Sequence, residues 1–322
     1  MSIHSAQTGP MPGALVHLGL PKTGSTSIQS FLAANRAAVR AQGLAYEPLG
    51  RSFNHAELLV VTRHRMGLMV DDPVLRDRFG IRLRNRDDQA AVVARTEARL
   101  RGIIAGAGGA RVLLSCEMLG WPYRAPAFAR AFHDWLSEFF GEVRYVAYLR
   151  AQDRWMESEY FQRLKHGQSH TVAEFLAKLD PPNYLRLARN WAAVAGPDAL
   201  QLRLLEPDAL KERDIVTDFC AAAGLDPTGL SRPGAVNARA SMRQVAALRR
   251  VNAALGPMLS GSGPGRTVLR GLGEGTLRLV PADTRRMEFP PARGTGSPRR
   301  WPTATRRCAG RGSRIVRACS PA

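Results

Sequence analysis

The sequence predicts an α/β protein, a parallel sheet flanked by helices with a phosphate-loop-like (P-loop-like) turn after its first strand. Short apolar runs that read as buried strands alternate with longer segments of helical period. The first run passes through a glycine-bearing turn directly into a helix. The chain, 322 residues and 45% hydrophobic, can bury a sizeable core, which excludes wholesale disorder.

Ala14-Leu15-Val16-His17-Leu18 reads as a short buried strand. A helix follows from about Ser25 to Arg40, with Ile28, Phe31, Leu32 and Val39 on one side and Gly43 as its stop. Strand signals vanish between Phe53 and Ala107. Asp87 and Asp88 suit the positive end of a helix running to about Ala105, with Val92, Val93, Leu100, Ile103 and Ile104 inward. Arg111 to Ser115 is a strand buried on both faces, and Ala125 to Phe140 is helical. Val143 to Leu149 is the third strand and Gln152 to Lys165 its following helix. Thr171 to Glu174 has the pattern of a capping box. A helix over 183–195, a strand over 200–205 and a helix over 214–223, stopped by Gly224, complete the alternation, and right-handed crossovers make such a sheet parallel. Residues 240–255 are periodic again. After Gly256 the glycine-rich sequence predicts decaying order.

The formal charge is +19, and only four of the 46 basic residues are lysines. An Arg- and Ala-rich composition of this kind records a GC-rich genome more readily than a selected surface. A basic body suits an anionic ligand, through steering rather than chemistry. No recognition helix, zinc spacing or aromatic-rich strand signature points to nucleic acid as a partner. Cys116, Cys220, Cys308 and Cys319 are too scattered for a disulfide framework, so a reduced, cytoplasmic compartment is expected. No run approaches the roughly 20 apolar residues of a membrane span, and the N-terminus lacks the pattern of a signal peptide. The predicted organisation is a disordered N-terminus over 1–13, an α/β domain over 14–284 and a disordered basic tail over 285–322. That tail holds ten arginines against one acidic residue. Its abrupt switch to Arg, Pro and Gly after Phe289-Pro290-Pro291 is what an out-of-frame reading of a GC-rich gene produces; a basic binding tail is the competing reading.

The informative stretch is Leu18-Gly19-Leu20-Pro21-Lys22-Thr23-Gly24-Ser25-Thr26-Ser27. A turn entering a helix aims several unpaired N–H groups at one spot and adds the helix dipole, so it favours an anion. Gly19 and Gly24 permit tight turning, Lys22 supplies a mobile charge, and Ser25, Thr26 and Ser27 add hydroxyls. The bland alternative is an ordinary strand–helix turn with Ser25 as cap. The order is not that of a Walker A loop, where the lysine directly precedes Ser/Thr at the helix start. A second element is Arg150 at the end of a strand, with Ser158 eight residues later on the next helix. An arginine there offers a bidentate fork to a phosphate.

Together these elements resemble the sulfotransferases that use 3′-phosphoadenylyl sulfate, and most closely bacterial sulfotransferase-like proteins, over roughly residues 14 to 255. The resemblance implies that Lys22, Thr23, Gly24, Ser25, Thr26 and Ser27 bind the 5′-phosphosulfate while Arg150 and Ser158 hold the 3′-phosphate. It also implies the sulfotransferase fold, a parallel sheet flanked by helices. Sulfuryl transfer passes through a loose in-line transition state, so Lys22 neutralises charge on the bridging oxygen and a base is needed for the acceptor. The family places its catalytic His or Glu just past the strand before the 3′-phosphate arginine, which selects Glu117 in Leu113-Leu114-Ser115-Cys116-Glu117. Capping, or pairing with one of the many arginines, is the plainer role for Glu117. His55 is the reserve candidate, with a structural role as its alternative. His17 is expected to be packed, Cys116 a small core residue, and Tyr184 and Trp191 core.

The expected function is transfer of a sulfuryl group from 3′-phosphoadenylyl sulfate (PAPS) to a hydroxyl or amine, with no metal and with a small-molecule or glycan acceptor. The oligomeric state is left open. One rival is a nucleotide or small-molecule kinase, which needs a magnesium-binding Asp at a strand end; none of these strands offers one. The other is a non-enzymatic anion- or nucleic-acid-binding protein that acts through its basic tail.

Overall fold

The computed structural model describes residues 11–120, 125–179, 181–234, 241–259 and 263–282. In chain order the elements are β1 (Gly13–Leu18), α1 (Ser25–Ala34), α2 (Arg36–Ala41), β2 (Leu44–Ala45), α3 (Glu57–Arg65), α4 (Pro73–Phe79), α5 (Arg86–Gly106) and β3 (Arg111–Cys116). Then come α6 (Pro126–Ser137), β4 (Glu142–Leu149), α7 (Gln152–Lys165), α8 (Val172–Lys178), α9 (Tyr184–Ala195), β5 (Leu200–Leu204), α10 (Ile215–Ala223), α11 (Met242–Leu259) and α12 (Gly263–Leu279). The described residues form two compact units. The first runs through Leu149 and resumes over Asn183–Gly234; the second holds Arg150–Pro182 and the helices from Met242 onward. The segment 1–10 and the basic tail 285–322 lie outside the described residues.

In the first unit the strands form one parallel sheet in the order β2-β3-β1-β4-β5. β1 is central, with Leu15 opposite Leu113 of β3 and Arg144 of β4. Because side chains alternate along a strand, the sheet has two buried faces. Ala14, Val16, Leu18, Val112, Leu114, Cys116, Tyr145 and Ala147 join the larger core with residues from α3, α5, α6 and α9, including Trp135 and Trp191. Leu15, Leu113, Val146 and Tyr148 face the other way, onto Ile28 and Phe31 of α1 and Phe219 of α10. Helices on both faces explain the near-continuous apolar strand sequences. Tyr184 and Trp191 are core, and Trp191 packs edge-on against Phe132 and tilted against Tyr145.

Three local features differ from the sequence reading. The helix expected over 25–40 breaks at Asn35, whose φ of −117° lies outside the helical range. Its amide donates to Phe31 O and Ser231 O and accepts from Ser231 N, each at 2.8 Å, which trades helix continuity for a tie to a distant loop. The two-residue strand β2 was not foreseen, being too short to show a period. Nor does order decay after Gly256, since α12 follows. In the second unit Leu269 is buried, and a Cβ at Gly273 would lie 3.2 Å from Leu248 of α11, so the glycine admits close helix packing. Gln244 donates to Leu277 O and Val280 O and closes the end of that helix. The remaining core of this unit is Trp155, Met156, Tyr160 and Leu164 of α7 with Phe175 of α8 and Val245 of α11. The capping box at Thr171 and Glu174 is present as expected. No helix among the described residues is long and apolar enough to cross a membrane.

A buried carboxylate fixes the β5 side of the sheet. Asp218 of α10 is 1% exposed; it accepts from Tyr148 Oη at 2.8 Å and from Lys211 N at 2.9 Å, and it pairs with Arg203. Removing one member of a buried pair leaves the other uncompensated. Asp218→Ala should therefore cost about 2–3 kcal/mol, at the low end for buried pairs because Arg203 is partly exposed and can rehydrate. The shift in the urea unfolding midpoint at constant m-value measures it.

Candidate active site

The turn between β1 and α1 is built by close backbone approach. Gly19 N donates to Cys116 O at 2.9 Å, and Gly120 N donates to Gly19 O at 3.1 Å, so the chain leaving β1 is stitched to the chain leaving β3. A Cβ at Gly19 would fall 2.6 Å from Glu117 Cα, within a distance that real side chains essentially never occupy. Gly24 has a left-handed φ of 82°, and a Cβ there would meet Ile215 Cδ1 at 2.2 Å. Gly19 is thus required by space, against backbone that cannot yield, whereas Ile215 could turn aside and Gly24 is favoured by its conformation.

Within the turn Thr23 Oγ1 donates to Leu20 O at 2.8 Å and Ser25 Oγ to the same carbonyl at 3.4 Å, which folds the loop on itself. Gly24 caps α1 without a side-chain hydrogen bond, so Ser25 is not the cap that the bland reading expects. Helix geometry gives the first N–H groups of α1 no intrahelical carbonyl partner, and the dipole adds partial positive charge there. Thr26 is exposed and Ser27 half-buried at this end. Lys22 has φ of 66°, in the left-handed region that costs a non-glycine residue of order 1–3 kcal/mol and recurs at functional sites.

Glu117 follows β3 directly, beside the turn. Its carboxylate takes a 2.9 Å ion pair from Arg78 of α4, a residue with no sequence signal of its own. The plainer expectation for Glu117, pairing with an arginine, thus holds alongside its position at the sheet's carboxyl edge, where α/β proteins bind ligands. His55 is fully buried against β3: its N donates to Ser115 O at 3.0 Å, and its Nδ1 accepts from Ser115 N at 3.2 Å. Burial pulls its pKa down to about 3, with the Glu47 backbone, as an acceptor, acting weakly in the opposite direction. Beneath the turn, Ser115 Oγ accepts from Gln29 of α1 at 3.1 Å and lies 2.9 Å from His17 Nδ1. Burial lowers the His17 pKa to about 4. Cys116 is buried and its thiol is pushed up to about 12, mainly by burial, so it is no nucleophile.

Asn54 and Glu57, both buried, also border this edge. Asn54 Oδ1 accepts from Glu117 N at 3.4 Å, and burial raises the pKa of Glu57 on the first turn of α3. Neither was singled out from sequence, and adjacency to His55 was the only hint of Asn54. The second unit holds the other two predicted residues. Arg150, half-buried, is the residue after the end of β4, and Ser158, also half-buried, lies on α7. Among the described residues no group of three or more His, Cys, Asp and Glu is arranged to hold a metal ion.

Sheet and turn together define an α/β protein with a glycine-built strand–helix turn at its central strand. Neither a protein-family model nor a curated protein matches the chain. Solved structures that do match include three sulfotransferases. The sulfotransferase domain from the curacin biosynthetic pathway shares 13% identity over 71% of this chain and 82% of its own, at a TM-score of 0.41. The sulfotransferase from Alicyclobacillus acidocaldarius shares 14% over 83% and 97%, at 0.44. The sulfotransferase domain from the Synechococcus PCC 7002 olefin synthase shares 16% over 72% and 82%, at 0.38.

The two buried histidines set an acid limit. Both are neutral in the fold, with pKa values of about 4 and about 3, while the unfolded chain binds protons near pH 6.5. Below that pH the unfolded state takes up more protons, so stability is full above about 6.5 and falls as pH drops toward 4 and 3. Thermal melts from pH 8 to 4.5 should show a falling Tm, and His17→Asn should flatten the fall. Gly19→Ala should lower stability by about 1–3 kcal/mol through overpacking against Glu117, readable by urea unfolding.

Proposed function

We propose that the protein is a sulfotransferase, moving a sulfuryl group from 3′-phosphoadenylyl sulfate to a hydroxyl or amine of a small-molecule or glycan acceptor in the cytoplasm. The observation that carries this reading is the pinning of Gly19 to the Cys116–Gly120 turn, which brings the loop bearing Lys22 and the strand end bearing Glu117 to one edge of the sheet. Residues 14–284 are assigned to the activity and the basic tail is not.

The donor set of the turn fits a dianionic phosphosulfate. The cap of α1 is a glycine with no side chain to compete for the helix N–H groups, and Thr26 and Ser27 stand at the same end. When bound, 3′-phosphoadenylyl sulfate supplies the activated sulfuryl group. The first amides of α1 and the hydroxyls of Thr26 and Ser27 hold its 5′ end, while the Thr23 and Ser25 hydroxyls, turned to Leu20 O, shape the loop, and Lys22 places its ammonium against charge developing on the leaving oxygen. Glu117 takes the acceptor's proton. Arg78 holds the Glu117 carboxylate in place until the acceptor arrives. His55 is the weaker base candidate, because one backbone and one ring contact with Ser115 hold it, fully buried, against the strand. On the family resemblance Arg150 and Ser158 take the 3′-phosphate.

Calorimetry with 3′,5′-adenosine bisphosphate against ATP-magnesium tests the reading. Bisphosphate should bind more tightly, and Arg150→Ala should weaken it at least tenfold, the effect of one lost charge-assisted contact. Lys22→Ala should lower sulfuryl transfer by about 10²–10³-fold. Preference for ATP-magnesium would return the chain to the kinase reading. Polynucleotide binding that collapses on deleting 285–322 would favour the non-enzymatic one.

A further inference from the structure

A cavity of about 530 Å³ lies beside α4, within the first unit. Its volume falls in the range of roughly 300–1,000 Å³ found for pockets that hold small organic ligands. Hydrogen bonds fix its walls. Val70 N donates to Gln89 Oε1 and Gln89 Nε2 to Leu68 O, each at 2.8 Å, and Ile81 N donates to Leu75 O at 2.9 Å. Val70, Leu75 and Ile81 belong to the larger core and Leu83 packs against it, so one side of the cavity is apolar. The other side is charged, and most of that charge is matched. Arg84 forks onto both oxygens of Asp88 at 2.8 and 3.1 Å. Arg76 donates to Asp77 at 2.9 Å and feels Asp71 as well, and Asp72 is also engaged. Arg82, exposed on the same lining, has no ion pair among the described residues. An apolar wall with one unmatched guanidinium fits an apolar body that ends in a carboxylate, the planar partner of that fork.

The cavity adjoins the candidate base. Leu75 in its wall and Arg78, which pairs with Glu117, are three residues apart on α4. That spacing puts them on one helix face, with Cβ atoms about 5–6 Å apart. One short helix therefore lines the cavity and holds the Glu117 carboxylate. We propose that the cavity receives the far end of the acceptor and makes the chain selective for acceptors that end in a carboxylate. The apolar body lies on Val70, Leu75 and Ile81, the carboxylate pairs with Arg82, and the group to be sulfated, at the other end, reaches Glu117. The proposal rests on the sulfotransferase reading and narrows its acceptor class. It also divides the work: Lys22 and Glu117 act on the group that arrives, whereas Arg82 and the apolar wall select the molecule that carries it.

The test titrates the full chain, saturated with 3′,5′-adenosine bisphosphate, by calorimetry with 8-hydroxyoctanoate and 12-hydroxydodecanoate, each beside its neutral amide. The better-fitting acid should bind about fivefold more tightly than its amide, the range of an ion pair at a solvent-exposed arginine. Arg82→Gln, a surface change that removes the charge and keeps a polar side chain, should level acid and amide. Arg82→Glu should turn the preference toward 8-amino-1-octanol. Neither variant should alter bisphosphate affinity. With 3′-phosphoadenylyl sulfate the preferred acid should be sulfated, and the loss in Arg82→Gln should fall in KM rather than kcat. Octanoate, which has no hydroxyl, should compete with that acid. Four results overturn this proposal alone: an amide that binds as well as its acid, an acid preference that survives Arg82→Gln, octanoate that does not compete, or an acid that binds and is not sulfated. A wild-type chain that binds no bisphosphate overturns the sulfotransferase reading, and the acceptor role of the cavity with it.

Discussion

The contact on which the site depends is the backbone crossing of Gly19 over Cys116 and Glu117. Two hydrogen bonds, from Gly19 N to Cys116 O and from Gly120 N to Gly19 O, bind the exits of two adjacent parallel strands into one surface. A parallel sheet aligns all its carboxyl ends at one edge but does not by itself hold the loops leaving them at bonding distance. The absence of a side chain at residue 19 does that. With the two turns joined, Lys22, the start of α1, Glu117 and Asn54 become parts of one rigid edge rather than independent loops.

Beneath that edge lies a buried polar layer, and its electrostatics follow from its depth. Ser115 is the hub: its backbone is paired with His55 and its hydroxyl with Gln29 and His17. Gln29 belongs to α1 and His17 to β1, so the layer ties that helix to the strand that precedes it. Both histidines are neutral because burial penalises their charged form. Their place in the site is therefore support. Two carboxyl groups border the edge, Glu117 paired to Arg78 and Glu57 with its pKa raised by burial.

Much of this was legible in the sequence, for identifiable reasons. The buried strands announced themselves because both of their faces are covered, so Leu113-Leu114 and Tyr145-Val146-Ala147 are apolar without interruption. The strand–helix turn was legible because its pattern is local: glycines, lysine and hydroxyls within ten residues. The position of Glu117 just past a strand end was legible too, since β3 ends at Cys116. What sequence could not show is tertiary. Arg78 reaches Glu117 across 39 residues, and Asn35 leaves its helix for a partner 196 residues away. Helix α12 hid behind its glycines, since the packing of Gly273 against Leu248 exists only once α11 is in place.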